Sequence, residues 1–526
     1  MKSLSLLLSF CFLLNLGLAL FGKSFQPSKD DFYKNPANIA SYKEGDIMKW
    51  RETPRRIRSF FVPSFRAERA WQFMVKSTNT RGEPVGIVGT LIEPQNADTS
   101  KLVAYNHFTD SACVDCASSY SLLLGAGVST VSSQVEFVAI TQALRLGWYV
   151  LVTDYQGQKA AFGASILNGH AVLDAIRGAL KSGDKSGLKP DARVGIWGFS
   201  GGTIPLAWAG ALQPKYAPEL SKNLVGVAVG GWATNLTSVL ETVDGTIQAG
   251  LIGAGILGMM TEYPEVEKTL FTHVKRALVR SLKSLYNKCV LITTLTFLKS
   301  KFFKGRSPIF TEGENFLRRP EIKAILDENT LALDNTIQVP DVPFFVYHGE
   351  PDDLVPFHNA QRVYDMWCSQ GIKSMEFAVS LTSDHTFEFI EGTGAAVSWL
   401  TNVLNGKAPV DGCERTVRLS NIFYPGADTQ SMREARGTLE GAVKKVKLSL
   451  GTGDEKSAEF ALESALKEEA KAIPQEDRIE EEELESPEAS ADKVVEDSDE
   501  SDEPTAETEE STYVEKPTVA EEGSAN

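Results

Sequence analysis

Beyond its first twenty residues, this sequence of 526 residues has no apolar run long enough to cross a membrane. Cysteine and histidine are also scarce, with six of each. Cys113 and Cys116 are close in sequence, but no second Cys or His pair stands near them at the spacing of a metal site. These absences predict a soluble protein with no transmembrane anchor and no metal site. The remaining composition, 42% hydrophobic and 9% aromatic, is ordinary for a globular chain with one large core or two domains.

The N-terminus has the pattern of a secretory signal peptide. Met1-Lys2 precedes an apolar stretch that ends at Leu20, and Gly17-Leu18-Ala19 offers a small-x-small cleavage site. A signal anchor is the alternative, but the apolar stretch is shorter than the roughly 20 residues of a membrane span. The pattern therefore predicts a signal peptide over residues 1–19 and a secreted, extracellular protein, with association with the cell wall left open.

Secretion bears on the cysteines and on glycosylation. Cys11 leaves with the signal peptide, so five cysteines remain in an oxidising compartment. An odd number of this kind predicts two disulfides and one leftover thiol. Asn235-Leu236-Thr237 is a glycosylation sequon, and we predict that Asn235 is glycosylated.

Charge is distributed unevenly along the chain. From Asp454 to the C-terminus, 27 Asp or Glu stand against 6 Lys or Arg, so this part carries a net charge of −21. Since the whole chain carries −16, the rest carries +5. The acidic part has few large apolar residues, and burial there cannot offset the entropy lost on ordering. We predict a low-complexity, disordered tail over residues 431–526.

The body alternates apolar runs with helical patterns. Residues 70–77 and 86–92 are predicted to form an antiparallel hairpin at a sheet edge, after an N-terminal arm that extends to about residue 66. The further predicted elements are strands at 102–106, 148–153, 193–197, 225–229, 344–347 and 375–379, and helices at 165–180 and 359–368. This alternation predicts an α/β fold with a mostly parallel, doubly wound sheet, in a domain over residues 20–430.

More than a hundred residues between the strands at 225–229 and 344–347 do not keep this alternation. They predict an inserted helical cap over about residues 236–340. Its stretch Thr246 to Met260 is apolar and rich in glycine, which suits a lid or a tunnel wall. The stretch Glu265 to Lys288 is predicted as one amphipathic helix with basic residues outside its apolar side. Such a helix can meet an anionic lipid surface, although packing against the protein is the more common role.

Gly198-Phe199-Ser200-Gly201-Gly202 lies between an apolar strand and a helical pattern rich in small residues. By itself, Gly-x-Ser-x-Gly is about as often a chance glycine-rich turn. Between a strand and a helix it has the form of a nucleophile elbow, in which a strained serine faces a pocket. We therefore predict that Ser200 is a nucleophile.

A serine nucleophile needs a histidine as base and an acid that orients the histidine. His385 lies in a loop-like segment just after the last predicted strand, and Glu350-Pro351-Asp352-Asp353 follows the strand before it. Both positions fit the order in which the serine, the acid and the histidine follow one another along the chain of a serine hydrolase. The residues alone leave Asp352 and Asp353 open as the acid, and they are compatible with a simple Asp- and Pro-rich turn.

Further motifs resemble those of the fungal secretory lipase family over roughly residues 25 to 424. The motifs that carry the resemblance are Asp30-Asp31-Phe32-Tyr33, Thr53-Pro54-Arg55-Arg56-Ile57-Arg58-Ser59, Ile92-Glu93-Pro94-Gln95-Asn96-Ala97-Asp98, Cys116-Ala117-Ser118-Ser119-Tyr120, Gly147-Trp148-Tyr149-Val150, Asp154-Tyr155-Gln156-Gly157, Trp197-Gly198-Phe199-Ser200-Gly201-Gly202, Gln213-Pro214-Lys215-Tyr216-Ala217-Pro218-Glu219-Leu220 and Pro351-Asp352-Asp353. Phe199 stands where the family usually has Tyr, and the acidic tail is foreign to the family.

The resemblance implies an α/β-hydrolase with a cap and a C-terminal flap. It also implies Ser200 as nucleophile, Asp352 as acid and His385 as base. Asp110, which would otherwise pass as a turn residue, is implied as a protonated partner of the Gly201 N–H in an oxyanion hole. The resemblance further implies disulfides between Cys116 and Cys289 and between Cys368 and Cys413, and Cys113 departs from the family pattern.

The leading hypothesis is a secreted triacylglycerol lipase that hydrolyses long-chain esters through an acyl-enzyme, without a cofactor. We expect a monomer that acts on lipid at an oil–water interface and has no nucleic-acid partner. A short-chain carboxylesterase or acyltransferase with the same triad is the alternative, because the cap geometry sets chain-length preference. A non-catalytic binding protein on a hydrolase fold is a third hypothesis, which a missing triad residue would have favoured.

Overall fold

The computed structural model describes residues 25–58, 67–333 and 339–437. The predicted signal peptide, and the predicted tail apart from residues 431–437, lie outside these ranges, so both stay predictions. Residues 431–437, which were predicted to be disordered, are helical and include the buried Ser431. Within the described ranges, no helix combines the length and the apolar character needed to span a bilayer.

One sheet organises the described chain. Its strands are β1 (Ile47–Glu52), β2 (Ala67–Thr78), β3 (Pro84–Pro94), β4 (Asp98–Asn106), β5 (Trp148–Thr153), β6 (Arg193–Phe199), β7 (Leu224–Gly230), β8 (Phe344–Gly349), β9 (Ser374–Ser380) and β10 (Gly412–Arg418), in the order β1-β2-β3-β5-β4-β6-β7-β8-β9-β10. The pairs β1–β2, β2–β3 and β3–β5 are antiparallel, and all later pairs are parallel. The predicted mostly parallel sheet is confirmed.

Helices cover both faces of the sheet and form the cap. They are α1 (Ser118–Ser121), α2 (Val131–Val135), α3 (Phe137–Arg145), α4 (Ser165–Lys181), α5 (Gly183–Ser186), α6 (Thr203–Tyr216), α7 (Leu236–Val243), α8 (Gly250–Met260), α9 (Glu267–His273), α10 (Val279–Ser284), α11 (Val290–Thr296), α12 (Pro320–Glu328), α13 (Phe357–Ser369), α14 (His385–Glu391) and α15 (Thr393–Leu404). Residues 429–437 are also helical.

The strand pleat sends consecutive side chains into two separate cores. Ile196 and Trp197 of β6 are both fully buried, but on opposite faces. Ile196 belongs to the core that α4, α6 and α13 cover, whereas Trp197 belongs to the core under α3 and α15. The central strands are therefore apolar at nearly every position, as expected for a sheet covered on both faces.

Two predictions about single elements are wrong, and one strand at the sheet edge was not predicted. The hairpin β2–β3 is not at the edge, because β1 from the predicted arm pairs with β2. β10, which was not predicted, extends the parallel sheet beyond β9. The stretch from 265 to 288 is not one helix: it divides into α9 and α10 with short 3-10 turns, because Val274 leaves the helix and forms a β-bridge with Phe310.

The helices from α7 to α12 lie between β7 and β8 in sequence, and all of them except α11 contribute to an apolar core of their own. This core contains aromatic residues at 297, 302, 303, 310 and 316. Asp244 fixes the chain within the cap, because its two carboxylate oxygens accept the N–H groups of Phe302, Phe303 and Lys304 at 2.5 to 3.1 Å. The cap therefore has its own packing and is not a loose loop.

Candidate active site

Ser200 lies at the sharp turn between β6 and α6. Its φ is +52°, a left-handed conformation that is strained for a residue with a side chain. Glycines on either side let the turn close: a Cβ on Gly202 would lie 2.2 Å from the Asn106 carbonyl oxygen, and one on Gly198 would lie 2.7 Å from Leu206 Cδ1. The sequence therefore folds into the predicted elbow because only glycine fits against β4 and α6.

His385 and Asp352 complete a hydrogen-bonded chain with this serine. His385 begins α14, and its Nε2 lies 2.8 Å from Ser200 Oγ. Its Nδ1 lies 2.7 Å from Asp352 Oδ2, in the loop that follows β8. Because a carboxylate accepts, the Nδ1 atom carries the proton and Nε2 is left to accept from the serine hydroxyl. Three loops at the carboxyl ends of β6, β8 and β9 thus meet at one point.

The structure separates the two acids that the residues alone leave open. Asp353 is exposed, whereas the Asp352 side chain is fully buried. Asp352 Oδ1 accepts the backbone N–H groups of Leu354 and Val355 at 3.0 and 2.7 Å. Desolvation alone would raise the pKa of Asp352, but hydrogen bonds from His348 and His385 outweigh it and hold this pKa well below its usual range.

His348 is a site residue that sequence analysis did not single out. Its Nδ1 accepts the Trp232 N–H at 3.1 Å, so the proton is on Nε2. That Nε2 lies 3.1 Å from both Asp352 Oδ2 and the Val355 carbonyl oxygen. Asp352 is therefore held between two imidazoles. The only sequence signal for His348 was its position in the buried strand β8, but a histidine in a core strand is often structural.

Asp110 lies beside the elbow on the opposite side from His385. Its backbone is left-handed, with φ +43°, and its carboxyl lies directly over Gly201: a Cβ there would be 1.9 Å from Asp110 Oδ1. Within the described residues this Oδ1 has no hydrogen-bond partner although it is buried. Burial raises the pKa of Asp110 to about 7. An unpartnered, partly protonated carboxyl next to the serine can donate a hydrogen bond to a nearby oxygen.

An apolar cavity of about 610 Å³ opens over Ser200, Asp110 and Gly201. Its walls come mainly from α7 and α8 of the cap, and Leu251, Gly255 and Met259 among others line it. The predicted use of the 246–260 stretch as a wall is therefore consistent with the structure. A second apolar cavity of about 380 Å³ lies inside the cap beside the first, since Leu240 and Met259 line both.

The structure joins Cys116 to Cys289 and Cys368 to Cys413, the two pairs that the resemblance implies. Cys113 stays a free, buried thiol, and burial raises its pKa to about 11. Its Sγ and those of Cys116 and Cys289 lie within 4.8 Å of one another. Because two of these sulfurs share a disulfide, the cluster does not offer three thiolates to a metal.

Asn235 is the N-cap of α7, and it is half-buried. Its Oδ1 accepts the Ser238 N–H at 3.0 Å, and its Nδ2 lies 3.5 Å from Asn359 Oδ1. The sequon is therefore at the start of the first cap helix, and its glycosylation stays a prediction.

Comparisons with known proteins agree with this geometry. The family model described as "Secretory lipase" matches residues 122–412. Lipase 2 of Candida albicans is 40% identical over 398 residues, 76% of this chain and 85% of that protein. Lipase A of Arthroderma benhamiae is 33% identical over 447 residues, 81% of this chain and 93% of that protein.

Solved structures give the same picture at the level of the fold. Candida antarctica lipase A matches with a TM-score of 0.70 and 27% identity, over 79% of this chain and 94% of that one. A rice cell wall degrading esterase, LipA from Xanthomonas oryzae, matches with a TM-score of 0.55 over 70% of this chain and 100% of that one. At 16% identity, this second likeness bears on the fold alone.

Proposed function

The chain belongs to the secretory lipase family, and from this premise we propose that it is a secreted triacylglycerol lipase with Ser200, His385 and Asp352 as its catalytic triad. The observation that carries the proposal is the hydrogen-bonded chain from Ser200 Oγ through His385 to Asp352, at the floor of an apolar cavity. Ester hydrolysis by such a triad needs no cofactor.

Acylation begins with Ser200. Its Oγ attacks the ester carbonyl carbon while His385 Nε2 takes the hydroxyl proton. Asp352 keeps the imidazole in the tautomer that can accept this proton, and it stabilises the imidazolium that forms. His385 then gives the proton to the leaving alcohol, and the acyl group stays on Ser200. In deacylation, water repeats the attack with His385 again as base.

The carbonyl oxygen becomes negative in each tetrahedral intermediate. The proposed donors are the Gly201 N–H and a protonated Asp110, whose carboxyl lies over Gly201. A neutral acid suits this role because it donates a proton without adding negative charge, and burial favours the neutral form.

The lining of the cavity favours an acyl chain as the occupant. Apart from Ser200 and Asp110, the residues that line this cavity are glycines or have apolar side chains. Burial of each methylene of a fatty acid contributes about 0.8 kcal/mol, so a long chain gains more here than a short one. The second cavity, which shares Leu240 and Met259 with the first, gives a longer chain further space within the cap.

Hydrolysis of p-nitrophenyl esters from acetate to palmitate, together with emulsified triolein, tests this proposal. We expect the protein to cleave long-chain esters and triolein. Ser200→Ala should lower kcat by at least about 10⁴-fold, because the nucleophile is gone. Thr203→Ser, at the next hydroxyl residue along α6, is a matched control and should keep most of the activity.

Three results would contradict the proposal in different ways. Cleavage of short esters alone would favour the short-chain esterase. Hydrolysis that survives Ser200→Ala would place the chemistry on another residue, and an inert protein would favour a binding role.

A further inference from the structure

The charged residues in a long part of the cap are all basic. From Lys268 to Thr311, the sequence has ten Lys or Arg, including Lys268, and no Asp or Glu. Several of the ten are exposed on the cap, and they include Lys299, Lys301 and Lys304. The positive charge is therefore concentrated in this part of the cap. Without these ten residues, the chain before the acidic tail would carry a net negative charge.

Two exposed apolar residues lie among these lysines. Ile247 is 51% exposed and Leu298 is 39% exposed. Backbone hydrogen bonds hold the two segments together: Lys299 N donates to the Thr246 carbonyl at 3.0 Å, and Gly245 N donates to the Ser300 carbonyl at 3.0 Å. The resulting surface, which we call the cap patch, consists of Ile247, Leu298, Lys299, Lys301 and Lys304.

Lysines of the cap patch are not neutralised by acids. Within the described chain, none of its three lysines forms an ion pair, and the Lys304 ammonium donates to the Glu241 carbonyl oxygen. The buried Asp244, the nearest acid in this turn, is occupied by backbone N–H groups. The cap patch therefore combines free positive charge with exposed apolar side chains.

The cap patch is next to the wall of the substrate cavity. Asp244 and the exposed Ile247 lie in the short turn between α7 and α8. Val243, at the end of α7, and Leu251, at the start of α8, both line the cavity that contains Ser200. The short turn between α7 and α8 therefore connects the cap patch to the cavity wall.

We propose that the cap patch docks the enzyme on a triacylglycerol surface that carries fatty-acid carboxylates. This inference rests on the proposed function, because lipolysis itself makes that surface: each turnover releases a fatty acid whose apolar chain keeps it at the oil surface and whose carboxylate adds negative charge. Ile247 and Leu298 enter the apolar surface, and the lysines contact the carboxylates. The reaction product thereby recruits more enzyme.

Flotation with triolein emulsions tests this inference. All binding variants carry Ser200→Ala, so the surface does not change during the measurement. The emulsions contain either no oleate or about 10 mol% oleate, enough for a marked surface charge. We expect oleate to increase the bound fraction, and high salt to remove most of the increase by screening.

Reversing the charge of the three lysines tests whether the cap patch is the binding surface. The variant Lys299→Glu/Lys301→Glu/Lys304→Glu should lose at least about tenfold in binding to oleate-charged emulsion. The control Lys185→Glu/Lys189→Glu/Lys222→Glu makes the same change in net charge with exposed lysines near the amino ends of β6 and β7, away from Ser200. The control should lose less than about twofold.

Equal loss in both triple variants, or none in either, would overturn the inference. Binding to anionic phospholipid vesicles without binding to oleate-charged triolein would overturn the choice of partner. Both triples with Ser200 intact should hydrolyse soluble p-nitrophenyl butyrate at the normal rate, which shows that they fold. Absence of ester hydrolysis by the unaltered protein would instead count against the proposed function, whatever the flotation result.

Discussion

We expect Asp110 to make activity depend on pH. Because burial raises the pKa of Asp110 to about 7, its carboxyl is protonated below that pH and ionised above it. Only the protonated form donates to the oxyanion and avoids repulsion with it. We therefore expect kcat/KM on a soluble ester to fall as pH rises through this range, which a pH–rate profile measures directly.

Asp110→Asn is the matched variant for this effect. The amide keeps an N–H donor at every pH, and Asn tolerates the left-handed φ of +43°. The fall on the alkaline side should vanish in this variant. Asp110→Ala, which has no donor, should lose about 10² to 10³ in kcat. An unchanged alkaline fall in Asp110→Asn would show that another group causes it.

We expect His348 to act through Asp352, which it contacts at 3.1 Å. His348→Leu removes one of the two imidazole donors, so the pKa of Asp352 should rise from its depressed value. Since catalysis needs the ionised carboxylate, the acid limb of the kcat profile should move to higher pH. We also expect kcat at neutral pH to fall about tenfold, the equivalent of one charged hydrogen bond.

His348→Gln distinguishes positioning from packing. Gln keeps a side-chain N–H donor of similar reach and should restore most of the acid limb. An acid limb that stays in place in His348→Leu, with only thermal stability reduced, would leave His348 a structural role.

At the scale of elements, one disulfide joins the segment that follows Asp110 to the cap. Cys116 follows the Asp110 segment, and Cys289 directly precedes α11, 173 residues later. Loss of the bond should destabilise the protein by about 2–4 kcal/mol. In Cys116→Ala, however, the nearby Cys113 can pair with Cys289, so the loss in Tm should be smaller than in Cys113→Ala/Cys116→Ala.

Thiol counts in denaturant check this explanation. Cys116→Ala should show no free thiol in the secreted protein when Cys113 has paired with Cys289. The double variant should show one, from Cys289. If Cys116→Ala and the double variant had equal Tm values and Cys116→Ala showed one more free thiol, Cys113 would not have paired with Cys289. Cys113→Ala alone should stay close to the unaltered protein.

The strands β2 to β9 could be predicted because a sheet covered on both faces requires continuous apolar runs. The two outer strands could not. In β10 the sequence Glu414-Arg415-Thr416-Val417-Arg418 is largely exposed, and it forms a strand because β9 offers a free edge for pairing. β1 is only half-buried, and Trp50 packs on Phe73 of the neighbouring strand. In both strands, tertiary contacts rather than the local sequence determine the structure.

Helical periodicity was misleading within the cap. Residues 265 to 288 keep apolar positions at helical spacing, but backbone pairing between Lys275 N and the Ile309 carbonyl competes with the helix. A distant segment thus decides the local structure. The site shows the same limit: the elbow glycines identify Ser200, whereas the role of Asp110 and the choice of Asp352 over Asp353 were implied only by the family resemblance. Their orientation depends on loops that meet in space.

At the scale of the whole molecule, the boundary of the functional domain lies beyond the last strand. Ser431 is buried and donates to Gln142 Oε1 at 3.0 Å, and Asp428 pairs with Arg145. A chain that ends at residue 424 loses these contacts and should have a lower Tm. A chain that ends at residue 453 keeps them and lacks only the acidic segment.

We expect the chain that ends at residue 453 to keep kcat/KM on soluble esters within about twofold, because the removed segment is predicted not to fold. Circular dichroism melting and p-nitrophenyl butyrate assays on the two truncations measure both effects. Equal melting of the two truncations would show that the helix at 429–437 adds nothing to stability.

We propose that the whole fold positions Ser200 for covalent catalysis. A long-chain p-nitrophenyl phosphonate tests this claim most directly, because it reacts with an activated serine and stays attached. We predict release of one p-nitrophenol per chain, loss of all esterase activity, and a mass increase on the peptide that contains Ser200. A label on any other residue, or full hydrolysis by the labelled protein, would contradict the account.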